Sequence, residues 1–119
     1  MYNFEKLTVW QKAINLCESI YQETKRFPRE EMFGLISQFR RAAVSIPLNI
    51  AEGSACRSKK EFIHFLTISL RSQFEIITLI KLSYRLKLLS KVSYSLLFSD
   101  AEEVGKLLNG LISSLKTKN

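Results

Sequence analysis

The stretch LFSDAEEVGKLLNGLISSL, residues 97–115, decides the fold class. Its apolar residues recur at alternating steps of four and three, a spacing that keeps them on one face of an α-helix. These residues are Leu97, Ala101, Val104, Leu108, Leu111 and Leu115. The stretch therefore predicts a long amphipathic helix, over about residues 92–116, whose apolar face must be covered by other helices.

Residues 4–27 predict a first helix with an unusually wide apolar surface. One apolar line runs through Trp10 and Ile14, and a second line runs beside it through Val9 and Leu16. At about 100° per residue the two lines cover about half of the helix, whereas a bundle helix usually presents one stripe. We therefore expect this helix to contact more than its own bundle core.

A second helix is predicted over residues 29–52. Pro28 suits the boundary, because proline is tolerated only in the first turn of a helix. Pro47 lies inside the segment, where it removes a backbone donor and crowds the preceding turn, so a kink or local break is expected near Ser45. Gly53 is well placed to end the helix in the left-handed conformation.

A third helix is predicted over residues 58–87. Ser58 and Glu61 have the spacing of a capping box at its start, and the segment is apolar on nearly every side. The connections between the four predicted helices are short, and short connections join antiparallel neighbours. The sequence therefore predicts an all-α chain, residues 1–119, that folds as one up-and-down antiparallel four-helix bundle.

Composition points to the same class of protein. The chain has 119 residues, enough for one apolar core, but only 4 glycines and 2 prolines, too few for the turns of an all-β protein. No cationic leader precedes an apolar run, and Arg71, Glu75 and Lys81 interrupt the most apolar region. We expect a cytoplasmic protein without a transmembrane helix, with Cys17 in the core and Cys56 in a loop.

Signals for catalysis are weak in this sequence. The single histidine, His64, has no second histidine or cysteine pair that could complete a metal or nucleophile site. The four glycines are scattered and form no phosphate-binding loop. We therefore predict no enzymatic activity, no metal and no cofactor.

The charge balance favours a polyanionic partner. Lys and Arg number 18 against 11 Asp and Glu, which gives a net charge of +7 and a pI near 9.6. In the predicted topology the end of the first helix, the start of the second, the end of the third and the start of the fourth meet at one end of the bundle. The basic residues placed there, the basic pole, are Lys25, Arg26, Arg29, Lys81, Arg85, Lys87 and Lys91. The opposite end holds Arg57, Lys59, Lys60, Lys116 and Lys118.

Contacts to phosphates are the interaction that these cations predict. Lysine and arginine neutralise the nucleic-acid backbone whatever its sequence. The sequence shows no aromatic set interleaved with the basic residues, so base stacking and sequence-specific recognition are not predicted.

Polar residues recur along one flank of the second predicted helix. Near a buried face such groups must be hydrogen-bonded, and two residues of the third helix are suitable partners. We predict a polar network that holds helices or subunits together, with a ligand pocket as the alternative. Its members are Gln38, Ser45, Asn49 and Glu52 with Ser72 and Glu75.

Several motifs of the chain carry a family resemblance: Phe4-Glu5-Lys6-Leu7-Thr8-Val9-Trp10, Phe33-Gly34-Leu35, Gln38-Phe39-Arg40-Arg41-Ala42-Ala43-Val44-Ser45-Ile46-Pro47 and Asn49-Ile50-Ala51-Glu52-Gly53. They resemble those of the four-helix bundle family first known from intervening sequences in large-subunit ribosomal RNA genes. The resemblance implies a homopentamer with no established enzymatic activity. The chain resembles more distantly the accessory variability determinant of diversity-generating retroelements, a basic pentamer that works with a reverse transcriptase and nucleic acid. Arg71 replaces a glycine of the family pattern, which could alter packing or subunit geometry.

Two functions are open at this point. The first is a basic homo-oligomer, with a pentamer preferred, that binds RNA or DNA through phosphate contacts. The second is a structural adaptor whose ring binds a protein partner. The apolar surface that exceeds one stripe per helix predicts an oligomer interface. We predict that this interface contains Val9, Leu16, Ile68, Leu79 and Leu82.

Overall fold

The computed structural model describes residues 1–117 and contains four long α-helices. They are α1 (Thr8–Thr24), α2 (Ser37–Ser54), α3 (Lys59–Arg85) and α4 (Lys91–Thr117). α1 packs against α2 and α4, and α3 packs against the same two helices, within a body of 48 × 22 × 22 Å. The all-α, up-and-down four-helix bundle predicted from the sequence is confirmed.

The start of the second predicted helix differs from the expectation. A 3-10 turn at Arg29–Glu31 is followed by a π-helical turn at Met32–Ile36, and α2 begins only at Ser37. Gly34 lies in the π-helical turn with φ −114° and ψ −108°, outside the helical range, a conformation that the absence of a Cβ permits. The chain therefore bends at Gly34, before α2.

Of the kink or local break predicted near Ser45, the break is absent, because Pro47 lies inside a continuous helix. α2 is continuous through Pro47, although proline has no N–H to donate to the carbonyl of Ala43, four residues earlier. The Cys17 thiol of α1 donates a hydrogen bond to this Ala43 carbonyl, with Sγ 3.0 Å from the oxygen. The Cys17 thiol thus takes the place of the backbone N–H that Pro47 lacks.

The environment of Cys17 keeps its thiol in the donor form. Burial, with a smaller contribution from the carboxylate of Glu18, raises the pKa of Cys17 from 9.0 to about 12. Because the pKa is higher in the folded chain, the stability contributed by the protonated thiol is complete below pH 9.0 and is lost as the pH rises towards 12. At neutral pH the thiol therefore remains protonated.

We expect Cys17→Ala to destabilise the protein more strongly when Pro47 is present. The substitution leaves the buried Ala43 carbonyl without its thiol donor, which should lower the free energy of unfolding by about 1–3 kcal/mol. In a Pro47→Ala background the new N–H of residue 47 can bond that carbonyl, so the same substitution should cost less. Urea denaturation of the four proteins measures the coupling. Equal costs in the two backgrounds would contradict the proposed role of the thiol.

The ends of α2 and α3 use different residues from those expected. Gly53 lies within α2 without a positive φ, so the predicted left-handed cap at this residue is wrong. The left-handed residue is Lys87, with φ 65°, which follows the C-cap residue Leu86 of α3. The Lys87 amide donates to the Tyr84 carbonyl and the Leu88 amide to the Ser83 carbonyl, both at 2.9 Å. These two bonds form a Schellman motif that ends α3.

The capping residue predicted for α3 is present. Ser58 is the N-cap, and its hydroxyl oxygen accepts a hydrogen bond from the Glu61 amide at 3.1 Å. The Ser58 hydroxyl also lies 3.2 Å from Oε1 of Glu61. At α4 the Ser90 hydroxyl accepts from the Ser93 amide at 3.1 Å. Both helices of the α3–α4 hairpin therefore begin at a serine cap.

Three residues of the predicted oligomer interface belong to the core of the single chain, so their placement at the surface was wrong. Leu79 is 7% exposed, and Val9 and Leu16 are 4% and 1% exposed. On α1 the line through Val9 and Leu16 faces the bundle axis, while Trp10 lies on an outer groove. The other two predicted residues are nearer the surface: Ile68 is partly buried and Leu82 is 42% exposed.

α3 is long enough and apolar enough to cross a membrane by length and composition alone. The central helices of soluble bundles have the same property. Leu66, Ile76 and Ile80 of this helix are fully buried within the bundle core. The apolar character of α3 is thus used in packing against α2 and α4.

Candidate nucleic-acid interface at the basic pole

The basic pole lies at the end of the bundle where the α1–α2 and α3–α4 connections meet. Ser93, in the first turn of α4, donates a hydrogen bond from its hydroxyl to Oε2 of Glu23 on α1 at 3.0 Å. The Arg40 guanidinium of α2 donates from Nε to the Thr24 hydroxyl at 3.0 Å. These contacts join the end of α1 to α4 and α2. The cationic groups on the two connections therefore share one end of the molecule.

All seven cations of the basic pole are exposed. Within residues 1–117 only one of them, Arg26, has a carboxylate within 4.0 Å, that of Glu23. Of the acidic residues nearby, Glu23 is hydrogen-bonded to Ser93, and the Glu31 carboxylate accepts from the Leu35 amide at 3.3 Å. Much of the positive charge is thus presented to solvent without an adjacent counter-charge.

A line of aromatic rings extends from the basic pole along the α3–α4 hairpin. The rings of Tyr84 and Tyr94 are stacked, with centroids 4.3 Å apart and an interplanar angle of 23°. The Phe98 ring follows 5.8 Å from Tyr94. Lys81 places its Nζ 4.6 Å from the Phe98 centroid and 3.5 Å from the Tyr94 hydroxyl. We call Tyr84, Tyr94 and Phe98 the aromatic ladder.

Sequence reasoning missed the aromatic ladder, although a signal was present. Tyr84 precedes Leu89 by five residues and Tyr94 follows it by five. In an antiparallel hairpin with its turn at Leu89, residues equally distant from the turn lie at the same height. The aromatic residues are therefore interleaved with the cations in space and not along the chain.

A cleft of about 360 Å³ opens beside the α1–α2 connection of the basic pole. Lys25 and Arg29 line it together with the side chains of Phe27 and Met32. Arg40 also lines the cleft, but its guanidinium stacks on the Tyr21 ring at 4.5 Å. The cleft thus combines two exposed cations with an apolar wall.

The opposite end of the bundle carries fewer described cations. Arg57, Lys60 and Lys116 are exposed there, and Lys59 opens α3. Lys118, also predicted at this end, lies outside the described residues. The two ends therefore provide a natural comparison between a large and a small basic cluster.

Five of the six residues of the predicted polar network lie together between α2 and α3. Gln38 donates from its amide to Glu75, and the Ser72 hydroxyl donates to that of Ser45 at 2.8 Å. The Asn49 amide nitrogen donates to the carbonyl of Ser45 at 2.8 Å. Gln38, Ser45, Ser72 and Glu75 line a shallow cleft of about 240 Å³. The sixth residue, Glu52, is exposed and its side chain makes no hydrogen bond to residues 1–117.

Two apolar grooves lie on opposite sides of the bundle. The first, of about 300 Å³ between α1 and α2, includes Trp10, Ile14 and Leu48. The second, of about 450 Å³ between α3 and α4, includes Phe74 and Phe98. Each groove leaves apolar surface in contact with solvent.

A buried amide borders the α3–α4 groove. Gln73 donates from Nε2 to the Ala101 carbonyl at 2.9 Å, but its Oε1 has no donor within residues 1–117. Gly105 leaves room for this amide, since a Cβ at that residue would lie 2.6 Å from Nε2. A buried acceptor without a donor among residues 1–117 therefore lies beside the α3–α4 groove.

His64 and Arg71 lie on the surface of α3. His64 is exposed and has Phe65 beside it, with ring centroids 5.4 Å apart. The residues between 1 and 117 contain no group of three or more His, Cys, Asp or Glu side chains that could hold a metal ion. Arg71, which replaces a glycine of the family pattern, is exposed, so its side chain does not enter the core of the chain.

The architecture and its charged end define a class of protein: a basic four-helix bundle with apolar grooves on two opposite faces. Within this class the chain belongs to the 23S rRNA-intervening sequence protein family, whose model matches residues 5–110. It is also similar to the solved structure of a protein of unknown function from the S23 ribosomal protein family of Bacteroides thetaiotaomicron. The two chains are 27% identical with a TM-score of 0.82, over 88% of this chain and 95% of that one. A search of curated proteins found no match.

Proposed function

We propose that the protein is a non-enzymatic, homo-oligomeric module that binds RNA or DNA through phosphate contacts at the basic pole. The observation that carries this proposal is the cluster of seven exposed cations, of which only Arg26 has a carboxylate within 4.0 Å among residues 1–117. When such cations bind phosphates, they displace the counterions condensed on the nucleic acid. The release of these counterions drives non-specific binding.

The two apolar grooves support the homo-oligomeric part of the proposal. The α1–α2 and α3–α4 grooves face in opposite directions, so the α1–α2 face of one copy can meet the α3–α4 face of the next. Such a head-to-tail contact closes into a ring when its rotation allows. Five subunits is the number that the family resemblance implies. Since each subunit carries +7, a ring would multiply the attraction for a polyanion.

A structural adaptor for a protein partner is the second candidate function. The apolar α3–α4 groove favours it, because a partner could bury the exposed Phe74 ring that lines this groove. Phe33, which is 97% exposed, offers a second apolar contact. Capture of partners before and after nuclease treatment separates the two functions, since only direct protein contacts survive the treatment.

Salt-dependent binding tests the nucleic-acid proposal. We expect the wild-type protein to bind a 20-nucleotide RNA at low ionic strength and to lose affinity as salt rises. The double variant Arg85→Glu/Lys91→Glu should bind at least about 10-fold more weakly, with a salt slope smaller by about 2. Fluorescence anisotropy titrations at several salt concentrations measure both quantities.

The matched control reverses two cations at the opposite end of the bundle. Arg57→Glu/Lys60→Glu also replaces one arginine and one lysine and therefore makes the same change in net charge. It should weaken binding much less than Arg85→Glu/Lys91→Glu. Equal losses would mean that net charge alone drives binding, and no wild-type binding at low salt would reject a nucleic-acid function.

A further inference from the structure

We infer that the nucleic acid bound at the basic pole is single-stranded, and that one unpaired base stacks on the Tyr84 ring. This inference rests on the proposed function, because it assigns the form of the polynucleotide and the residue that contacts a base. It goes beyond phosphate binding, because phosphates are present in single strands and in duplexes alike. The observations that carry it are the aromatic ladder and the cations around it.

The Tyr84 ring is available at the end of the aromatic ladder. One face of the ring is stacked on Tyr94, and 37% of the residue is exposed. Within residues 1–117 the ring has no other aromatic or cationic partner, and the hydroxyl makes no hydrogen bond. Because the Tyr84 hydroxyl makes no hydrogen bond within these residues and part of the side chain is exposed, the ring can stack on one more aromatic group.

The order within the aromatic ladder prepares Tyr84 for such stacking. Tyr94 is held between Tyr84 and Phe98, and Lys81 lies over the Phe98 face at 4.6 Å. Phe98 is thereby engaged in a cation–π contact, whereas Tyr84 has Tyr94 as its one ring partner among residues 1–117. A base that stacks on Tyr84 extends an existing stack and does not require the protein rings to rearrange.

Three exposed cations lie in the short stretch between Tyr84 and the start of α4. Arg85 follows Tyr84 directly, Lys87 lies in the left-handed turn after α3, and Lys91 begins α4. Proteins that bind single strands combine a positively charged surface for the backbone with aromatic rings for successive bases. Bases inside a duplex are stacked on both faces and paired already, so only its two terminal pairs have a face that could reach Tyr84. The combination therefore selects a single strand.

Three probes of equal length test the inference: a 20-nucleotide single-stranded RNA, its blunt duplex, and a 20-residue abasic sugar-phosphate strand. We expect Tyr84→Leu to weaken binding of the single-stranded RNA by about 10-fold, because base–aromatic stacking contributes that order of affinity. Binding of the duplex and of the abasic strand should be unchanged. Tyr84→Phe retains the ring and should bind the RNA as the wild type does.

His64→Leu is the matched control, since it removes an exposed ring from the same helix, away from the basic pole and from both apolar grooves. It should leave all three affinities unchanged. Circular dichroism melting of every variant separates loss of the stack from loss of the fold. Equal weakening of all three probes by Tyr84→Leu, or no weakening of any, would overturn the single-strand inference while leaving phosphate binding intact. No binding of any probe by the wild type would overturn the proposed function itself.

Discussion

Leu79→Glu is expected to unfold or strongly destabilise the protein. Leu79 is 7% exposed and belongs to the core formed by the four helices. A carboxylate at this residue would lose its hydration, and a buried charge without a partner costs about 3–5 kcal/mol. A loss of this size approaches the whole stability of many single domains. Urea denaturation followed by circular dichroism measures the change.

Leu82→Glu is the matched control for this prediction. It makes the same substitution on the same helix, but at a residue that is 42% exposed, so the carboxylate can remain hydrated. We expect a folded protein with nearly unchanged stability in the monomer. If Leu82 lies at a contact between copies, light scattering will show a shift from the oligomer towards the 13.8 kDa chain. A well-folded Leu79→Glu monomer would contradict the core position of Leu79.

Gly53→Ala is also expected to destabilise the protein. A Cβ at Gly53 would lie 2.8 Å from Cδ1 of Phe62 and 2.9 Å from Cβ of Phe65. The Phe62 ring can rotate, but the Cβ of Phe65 moves only with the backbone of α3. We therefore expect α2 and α3 to separate at their connection, with a loss of about 1–3 kcal/mol from overpacking.

Gly110→Ala makes the same substitution in an open position of α4. A Cβ at Gly110 would meet no atom within 4 Å, and the residue is exposed. Alanine has the higher helix propensity, so the variant should gain about 0.5–1 kcal/mol. Thermal melting should show a lower melting temperature than the wild type for Gly53→Ala and a higher one for Gly110→Ala. Stabilisation by Gly53→Ala would show that α2 and α3 are not in close contact there.

The four helices and their order could be predicted because local patterns determine them. The four-three spacing from Leu97 to Leu115 defines a helical face without knowledge of any other segment. Ser58 and Glu61 mark the start of α3 through bonds between residues three apart. The start of α2 was predicted too early, because Pro28 is compatible with a helix start and nothing local reveals the bend at Gly34.

The aromatic ladder could not be read from linear spacing alone. The cations of the basic pole were assigned from topology, since every residue near a connection lies at one end of a bundle. Tyr84 and Tyr94 required one step more, the pairing of residues equally distant from Leu89. Their stacking depends on the rotation of α3 against α4, which only the packed helices define.

By itself the sequence determined the fold class, the number and direction of the helices, and the charge of the end where Lys25 and Lys91 lie. Only the tertiary structure decided which of two apolar lines on α1 faces inward. Both lines have helical periodicity, and the line through Val9 becomes core because α2 and α4 approach from that side. It also decided that Pro47 is accommodated, because the donor for Ala43 comes from Cys17, 26 residues away in the chain. Periodicity is a property of one segment. The inward face of α1 and the donor to the Ala43 carbonyl depend instead on which helices pack beside that segment.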